Sequence, residues 1–263
     1  MQRGQSDMHG SEFPTTAQLL VSGGDARILP DPVSGLNKYG CAAIPDPDLL
    51  AFASSTASTI SQAGFIAVNQ LAQRLHNETQ ALDVVYAREM QRIRAELLAD
   101  VSDLGVELVF ASSGTDAHLT ATRYVGFAPH VVMVEEEETG SGVSSALLSA
   151  ACTIDHVMLR KVNGEPRPIA DIDADVTTLV EKAVNQDQRV LLIMVDQSKT
   201  GLIAPGPACA MRLQQLHAKH LTVLVDACQF RIAPTTLRAY LQQGFMVAVT
   251  GSKFFTGPSF SAA

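Results

Sequence analysis

The sequence has no tryptophan, only 17% charged residues, and no apolar run long enough to span a bilayer. Its start, MQRGQSDMHGSEFPTTAQLL, lacks the continuous apolar core of a signal peptide. The four cysteines (Cys41, Cys152, Cys209 and Cys228) are scattered, with no C-x-x-C pair and no metal-ligand spacing. That pattern excludes a disulfide framework and points to reduced thiols and a cytoplasmic location. Basic residues are in deficit. The net charge of −8 argues against a nucleic-acid or anionic-membrane surface, and leaves open a local pocket for a small phosphate. There is no repeat at a period of about 20–50 residues and no low-complexity linker. What remains, at 263 residues and 46% apolar content, is a globular chain with ample core.

Residues 1–18 are polar and read as loose, and the proline- and glycine-rich stretch RILPDPVSGLNKYGCAAIPDPDLL reads as an ordered but irregular lead-in. Val68, Leu71, Leu75, Leu82, Tyr86, Met90, Ile93 and Leu97 then step by threes and fours. This spacing predicts one long helix, or two with a break near HNET. From residue 106 the pattern alternates. Short apolar runs, VELVFA, HVVMV, HVMLRKV, RVLLIMV, LTVLV and FMVAV, are separated by segments that suit helices. Strands apolar throughout and joined by helices predict an α/β fold, a three-layer, mostly parallel sheet with helices on both faces.

In such sheets ligands bind at the carboxyl ends of the strands. Four of those ends carry unusual polar residues: SSGTDA, DQSKTG, DACQ and TGSK. SSGTDA places Gly114 and Thr115 where a helix begins, with free N–H groups and the positive end of the helix dipole suited to a phosphate. Taken alone, a serine N-cap is the commoner use of such a turn. Asp226 closes an apolar strand and needs a cationic or donating partner, unless it simply caps the next turn. Lys253 sits among small and apolar residues that disfavour its ammonium form and favour a nucleophilic amine, where the usual lysine sends its head to solvent. Together these residues suit one cofactor, pyridoxal 5'-phosphate, which needs a lysine, a carboxylate on its ring nitrogen and a phosphate anchor.

On SSGTDA, VDACQ and TGSK, from about residue 40 to the end, the chain resembles the fold-type I pyridoxal-phosphate enzymes, in particular the class V aminotransferase and cysteine desulfurase group. The resemblance implies that Lys253 carries the cofactor as a Schiff base and that Asp226 pairs with the pyridine nitrogen. Gln229 would lie near the phenolic oxygen, with Gln197 or Ser198 of the DQSKTG loop also close to it. Gly114, Thr115, Thr250 and Ser252 would hold the phosphate. Asp116 stands where the group carries Glu. The histidine that often stacks on the ring has no counterpart, since that loop reads EEEETGSGV, leaving Glu138 or Thr139 to cover the ring.

The resemblance divides the chain into a lead-in, 1–39, and a large domain, 40–263, incomplete at its C-terminus. By the same resemblance, the small domain, with the usual arginine for a substrate carboxylate, is expected to lie outside this chain. The implied activity is aminotransferase or desulfurase/lyase chemistry on a small-molecule amino acid, in a homodimer with no nucleic-acid or membrane partner. Substrate choice would involve the lead-in at Asn37 and Tyr39. The alternative is a truncated, non-catalytic remnant that binds the cofactor or a partner without turnover. Other signals are weaker. ETGSGVSS lacks the third glycine of a dinucleotide loop and follows four glutamates. His217 and His220 have no third ligand, so no metal is expected. Cys228 reads as a small buried residue with no base beside it.

Overall fold

The computed structural model describes residues 13–51, 57–140 and 142–263. Most of residues 1–18 lie outside that set, but the described part already holds a helix, α1 (Thr16–Leu20), closed by a Thr15–Gln18 capping box. The long periodic stretch is two helices, α2 (Gln62–His76) and α3 (Leu82–Leu97), broken at HNET as one of the two readings had it. Their apolar stripe is only partly covered: Leu82 and Tyr86 stay exposed.

The alternating region forms α4 (Gly114–Val125), β1 (His130–Val134), α5 (Val143–Ser149), β2 (Thr153–Val157), α6 (Ile169–Asn185) and β3 (Val190–Asp196). It continues with β4 (Ile203–Ala204), α7 (Pro207–Leu216), β5 (Leu221–Ala227), α8 (Pro234–Gln242) and β6 (Met246–Val249). The sheet order is β2-β1-β3-β5-β6, parallel throughout except for the short β4 paired antiparallel to β3. Successive residues of a strand point to opposite faces. Val132, Val134, Leu192, Met194, Val223 and Val225 accordingly pack under α6, α7 and α8. Val131, Met133, Leu191, Ile193 and Leu224 pack under α4 and α5. This is the expected three-layer α/β fold. Every residue of β3 is buried, and each such Leu, Ile, Val or Met contributes about 1.5–3 kcal/mol.

Two strand expectations shift. β2 starts at Thr153, earlier than HVMLRKV, because an edge strand pairing only with β1 tolerates the polar Asp155 and His156. VELVFA forms no ladder among the described residues. Its one bridge is Ala111 to Ala262, and Ala262 also bridges Thr250. Residues 261–263 thus thread between this segment and β6, and a cavity of about 650 Å³ lined by Val106, Leu108, Met246 and Val247 opens beyond them. Among the described residues no helix is long and apolar enough to cross a membrane.

Candidate functional site

The chain reverses its direction of growth across the sheet between β1 and β3, which is where a crevice opens at the strand ends of such folds. Asp226 stands near the carboxyl end of β5 with Gln229 just after it, Thr250, Ser252 and Lys253 follow β6, and the N-terminus of α4 meets them from the other side. Gly114 is the close-approach point: a Cβ on it would lie 2.8 Å from Cys228 Sγ and 3.4 Å from Thr250 Cγ2. Only glycine lets α4 settle that near the end of β5.

Asp226 is buried. Its Oδ1 accepts the Cys228 N–H at 3.0 Å, and its Oδ2 accepts the Thr139 hydroxyl at 3.1 Å. Nε2 of His118, a residue the sequence reading passed over, stands 3.4 Å from the same Oδ2. His118 is 1% exposed, and its Nδ1 lies 2.6 Å from the Gly114 carbonyl, where only a donated proton is favourable. A neutral ring would then aim a lone pair at the carboxylate, so the stable arrangement is an imidazolium beside an ionised Asp226. Burial disfavours both charges, but each holds the other: Asp226 is driven far below the ordinary carboxylate range by His118 and more weakly by Lys253. His118 is raised by Asp226 against the cost of its burial. His118 lies one turn beyond Gly114 on α4; that i, i+4 spacing from SSGTDA was the available signal.

Cys228 completes the only group of three metal-capable side chains among the described residues, its ligand atom and those of His118 and Asp226 lying within 4.8 Å. Burial and the Asp226 charge push its thiol well above the usual range, so it sits as a neutral thiol against a finished ion pair. His220 pairs instead with Asp187 at 3.1 Å, away from the site.

The phosphate-side residues divide. The N–H groups of Gly114 and Thr115 open α4 without intrahelical partners. Among the described residues nothing takes the hydroxyl of Thr115 or Ser252. The Thr250 hydroxyl, by contrast, donates to the Cys228 carbonyl at 2.7 Å. Arg27 of the lead-in reaches Ser113 Oγ and Asp116 Oδ2, both at 3.1 Å, and so ties the lead-in to this turn. Asn37 and Tyr39 take no part in the cleft: the Asn37 amide donates to Ser259 Oγ and its oxygen accepts the Tyr39 N–H.

The loop EEEETG also divides. Thr139 touches Asp226, whereas Glu138 is turned inward to accept Ser198 Oγ at 2.6 Å and Arg160 Nε at 2.8 Å, with Thr200 Oγ1 bonded to both its oxygens. Burial alone would raise Glu138; the hydrogen bonds from Ser198, Thr200 and Arg160 outweigh it and lower its pKa. Ser198 is therefore committed to Glu138, and Gln197 and Lys199 are the members of its loop that line the cleft, Lys199 with its Nζ donating to the Glu136 carbonyl at 3.1 Å.

No protein-family profile matches the sequence, and no curated protein sequence matches it. Among solved structures the fold is similar to a histidinol-phosphate aminotransferase of Clostridium acetobutylicum, with a TM-score of 0.52 and 12% identity over 80% of this chain and 58% of that one. It is also similar to a protein of Erwinia carotovora atroseptica provisionally named a histidinol-phosphate aminotransferase, with a TM-score of 0.50 and 15% identity over 74% of this chain and 53% of that one. The chain thus spans a little over half the length of these structures. What they share with it is the fold.

Lys253 is half-buried and borders two spaces. One is the cleft at Asp226, about 20 Å³, with Thr139, Gln197 and Gln229 on its walls. The other is a cavity of about 400 Å³ on the lead-in side.

Proposed function

We propose that this chain is a pyridoxal-phosphate-dependent enzyme acting on an amino acid, of the aminotransferase or lyase type. The observation that carries the reading is the conjunction of Lys253 with the buried Asp226–His118 ion pair at neighbouring strand ends. The donor set suits the cofactor. An ionised carboxylate offers about four acceptor sites; the Cys228 N–H and the Thr139 hydroxyl occupy two, and His118 Nε2 stands 3.4 Å away as an ion-pair partner, which leaves acceptor capacity for a ring N–H. The free N–H groups of Gly114 and Thr115 and the hydroxyls of Thr115 and Ser252 suit a phosphate at a helix N-terminus. At about 20 Å³ the cleft is far smaller than the ring, so the fit rests on these donors and not on the space.

Pyridoxal phosphate, when bound, supplies an electron-withdrawing ring that stabilises negative charge at the substrate's α-carbon. The protein's own part follows from its residues. Lys253 Nζ is the amine that would hold the cofactor and that, when free, would serve as a proton acceptor and donor beside it. Asp226, kept ionised by His118, would keep a ring nitrogen protonated. Thr139 fixes the Asp226 carboxylate in place, and Gln229 and Gln197 sit beside Lys253 on the cleft wall.

The test is spectroscopic. Pyridoxal phosphate added to the protein is expected to give a visible absorption band, and borohydride is expected to fix the label on Lys253. Lys253→Ala is expected to abolish both. No band in the wild type, or a band unchanged in the variant, sinks the reading.

A further inference from the structure

The cavity of about 400 Å³ on the open side of Lys253 also contains Arg231, two residues beyond Gln229. Its apolar walls are Leu49, Ala51, Ile60 and Phe254, and the Arg231 guanidinium lies 5.5 Å from the Phe254 ring centroid. Among the described residues no carboxylate comes within ion-pair distance of Arg231. Asp46 lines the same cavity, but one of its oxygens accepts the Asp48 N–H of its own turn. The Arg231 cation, with the one acid of the lining engaged in its own turn, makes the cavity attractive to an anion.

Its walls are held in place. The Ser58 N–H donates to the Ser252 carbonyl and the Ser61 N–H to the Thr256 carbonyl, each at 2.8 Å, which pins the segment just before α2 against the turn that carries Lys253. The backbone that aims Arg231 is costly. Phe230, directly before it, has φ +50°, a left-handed conformation that a bulky aromatic rarely adopts. The Phe230 ring packs on Phe255 at 4.9 Å, which offsets that cost and fixes the direction in which the chain leaves.

We propose that Arg231 binds the carboxylate of the amino-acid substrate, and that the apolar walls take up a neutral side chain. This rests on the function proposed above. It assigns the anion-holding role to a residue of the strand-end loop beside Lys253. A planar guanidinium suits the two oxygens of a carboxylate, and its position over Phe254 keeps it oriented. A substrate held there presents its amine toward Lys253, and an acidic side chain would face Asp46.

The experiment uses the full chain loaded with pyridoxal phosphate and reads binding as the change in its visible band. The ligands are L-leucine, L-glutamate and isopentylamine, the last being leucine without its carboxylate. Wild type is expected to bind L-leucine about 10–100-fold more tightly than isopentylamine, and more tightly than L-glutamate. Arg231→Met is expected to bring leucine and isopentylamine within about threefold of each other, and Arg231→Lys to recover part of the difference. An undiminished preference for leucine in Arg231→Met, with the band intact, overturns the assignment and leaves the cofactor reading standing. Absence of the band from wild type overturns both.

Discussion

The two sides of Lys253 are built on opposite terms. On the Asp226 side the space is about 20 Å³, and the charges are buried, paired and held by fixed donors. On the Arg231 side the space is about 400 Å³, the cation has no acidic partner among the described residues, and Phe254 is 60% exposed. In a dry site a charge survives only with a partner, so changing one partner strands the other. On an open surface, water stands in and little stability is at stake. A site that must hold a cofactor firmly and exchange a substrate needs one side of each kind.

The largest effect is expected from breaking the dry side at His118. His118→Gln removes the cation and leaves the Asp226 carboxylate buried with neutral donors and the more distant Lys253, which should cost about 3–5 kcal/mol in a denaturation experiment. The pH dependence separates this from simple packing loss. His118 has a raised folded pKa, so its contribution is present below the unfolded value of about 6.5 and fades as pH climbs through the higher folded value. Asp226 is depressed, so its contribution is present above about 3.9 and fades as acid approaches the folded value. Stability of the wild type should therefore fall on both limbs, and His118→Gln should flatten the alkaline one. An unchanged alkaline limb would mean that the buried ring is neutral.

This pair also marks where the sequence stops being legible. β1, β3, β5 and β6 were readable because each is a run of apolar residues that ends in a polar one, and Asp226 and Lys253 stood out against such runs. His118 looked like any half-polar residue of an amphipathic helix; what singles it out is the approach of α4 to the end of β5, a tertiary fact. The same holds for Ser198 and Thr250. Their hydroxyls were assigned by position in a motif, yet Ser198 is taken by Glu138 and Thr250 by the Cys228 carbonyl. VELVFA has the composition of a strand, but a ladder needs a neighbour along its length, and among the described residues it has one at Ala111 alone.

A smaller effect is expected at Gly114. Gly114→Ala sets a methyl group 2.8 Å from Cys228 Sγ, closer than such atoms pack, so α4 or the end of β5 must shift. Overpacking of this kind costs about 1–3 kcal/mol, and it should also weaken cofactor binding through the displaced helix N-terminus. Cys228→Ala removes the atom that is struck, so the double variant should lose less than the sum of the two single losses, measured as a coupling in a double-mutant cycle. Additive losses would show that α4 is not seated against Cys228.

The smallest effect on stability belongs to the open side. Phe254→Ala removes a ring that is mostly in water and touches Phe255 edge-on at 5.8 Å. What it gives to Arg231 is a surface cation–π contact worth about 0.5–1 kcal/mol, so the unfolding free energy should fall by no more than about that amount. Ligand binding should respond more than stability does, because the ring orients the guanidinium without burying it. Leucine should bind more weakly to Phe254→Ala by up to about fivefold, while isopentylamine, which has no carboxylate to lose, should change less. A loss of several kcal/mol in stability would mean that Phe254 packs against more than the described residues of this chain, and the contrast between the two sides of Lys253 would then be weaker than their exposures indicate.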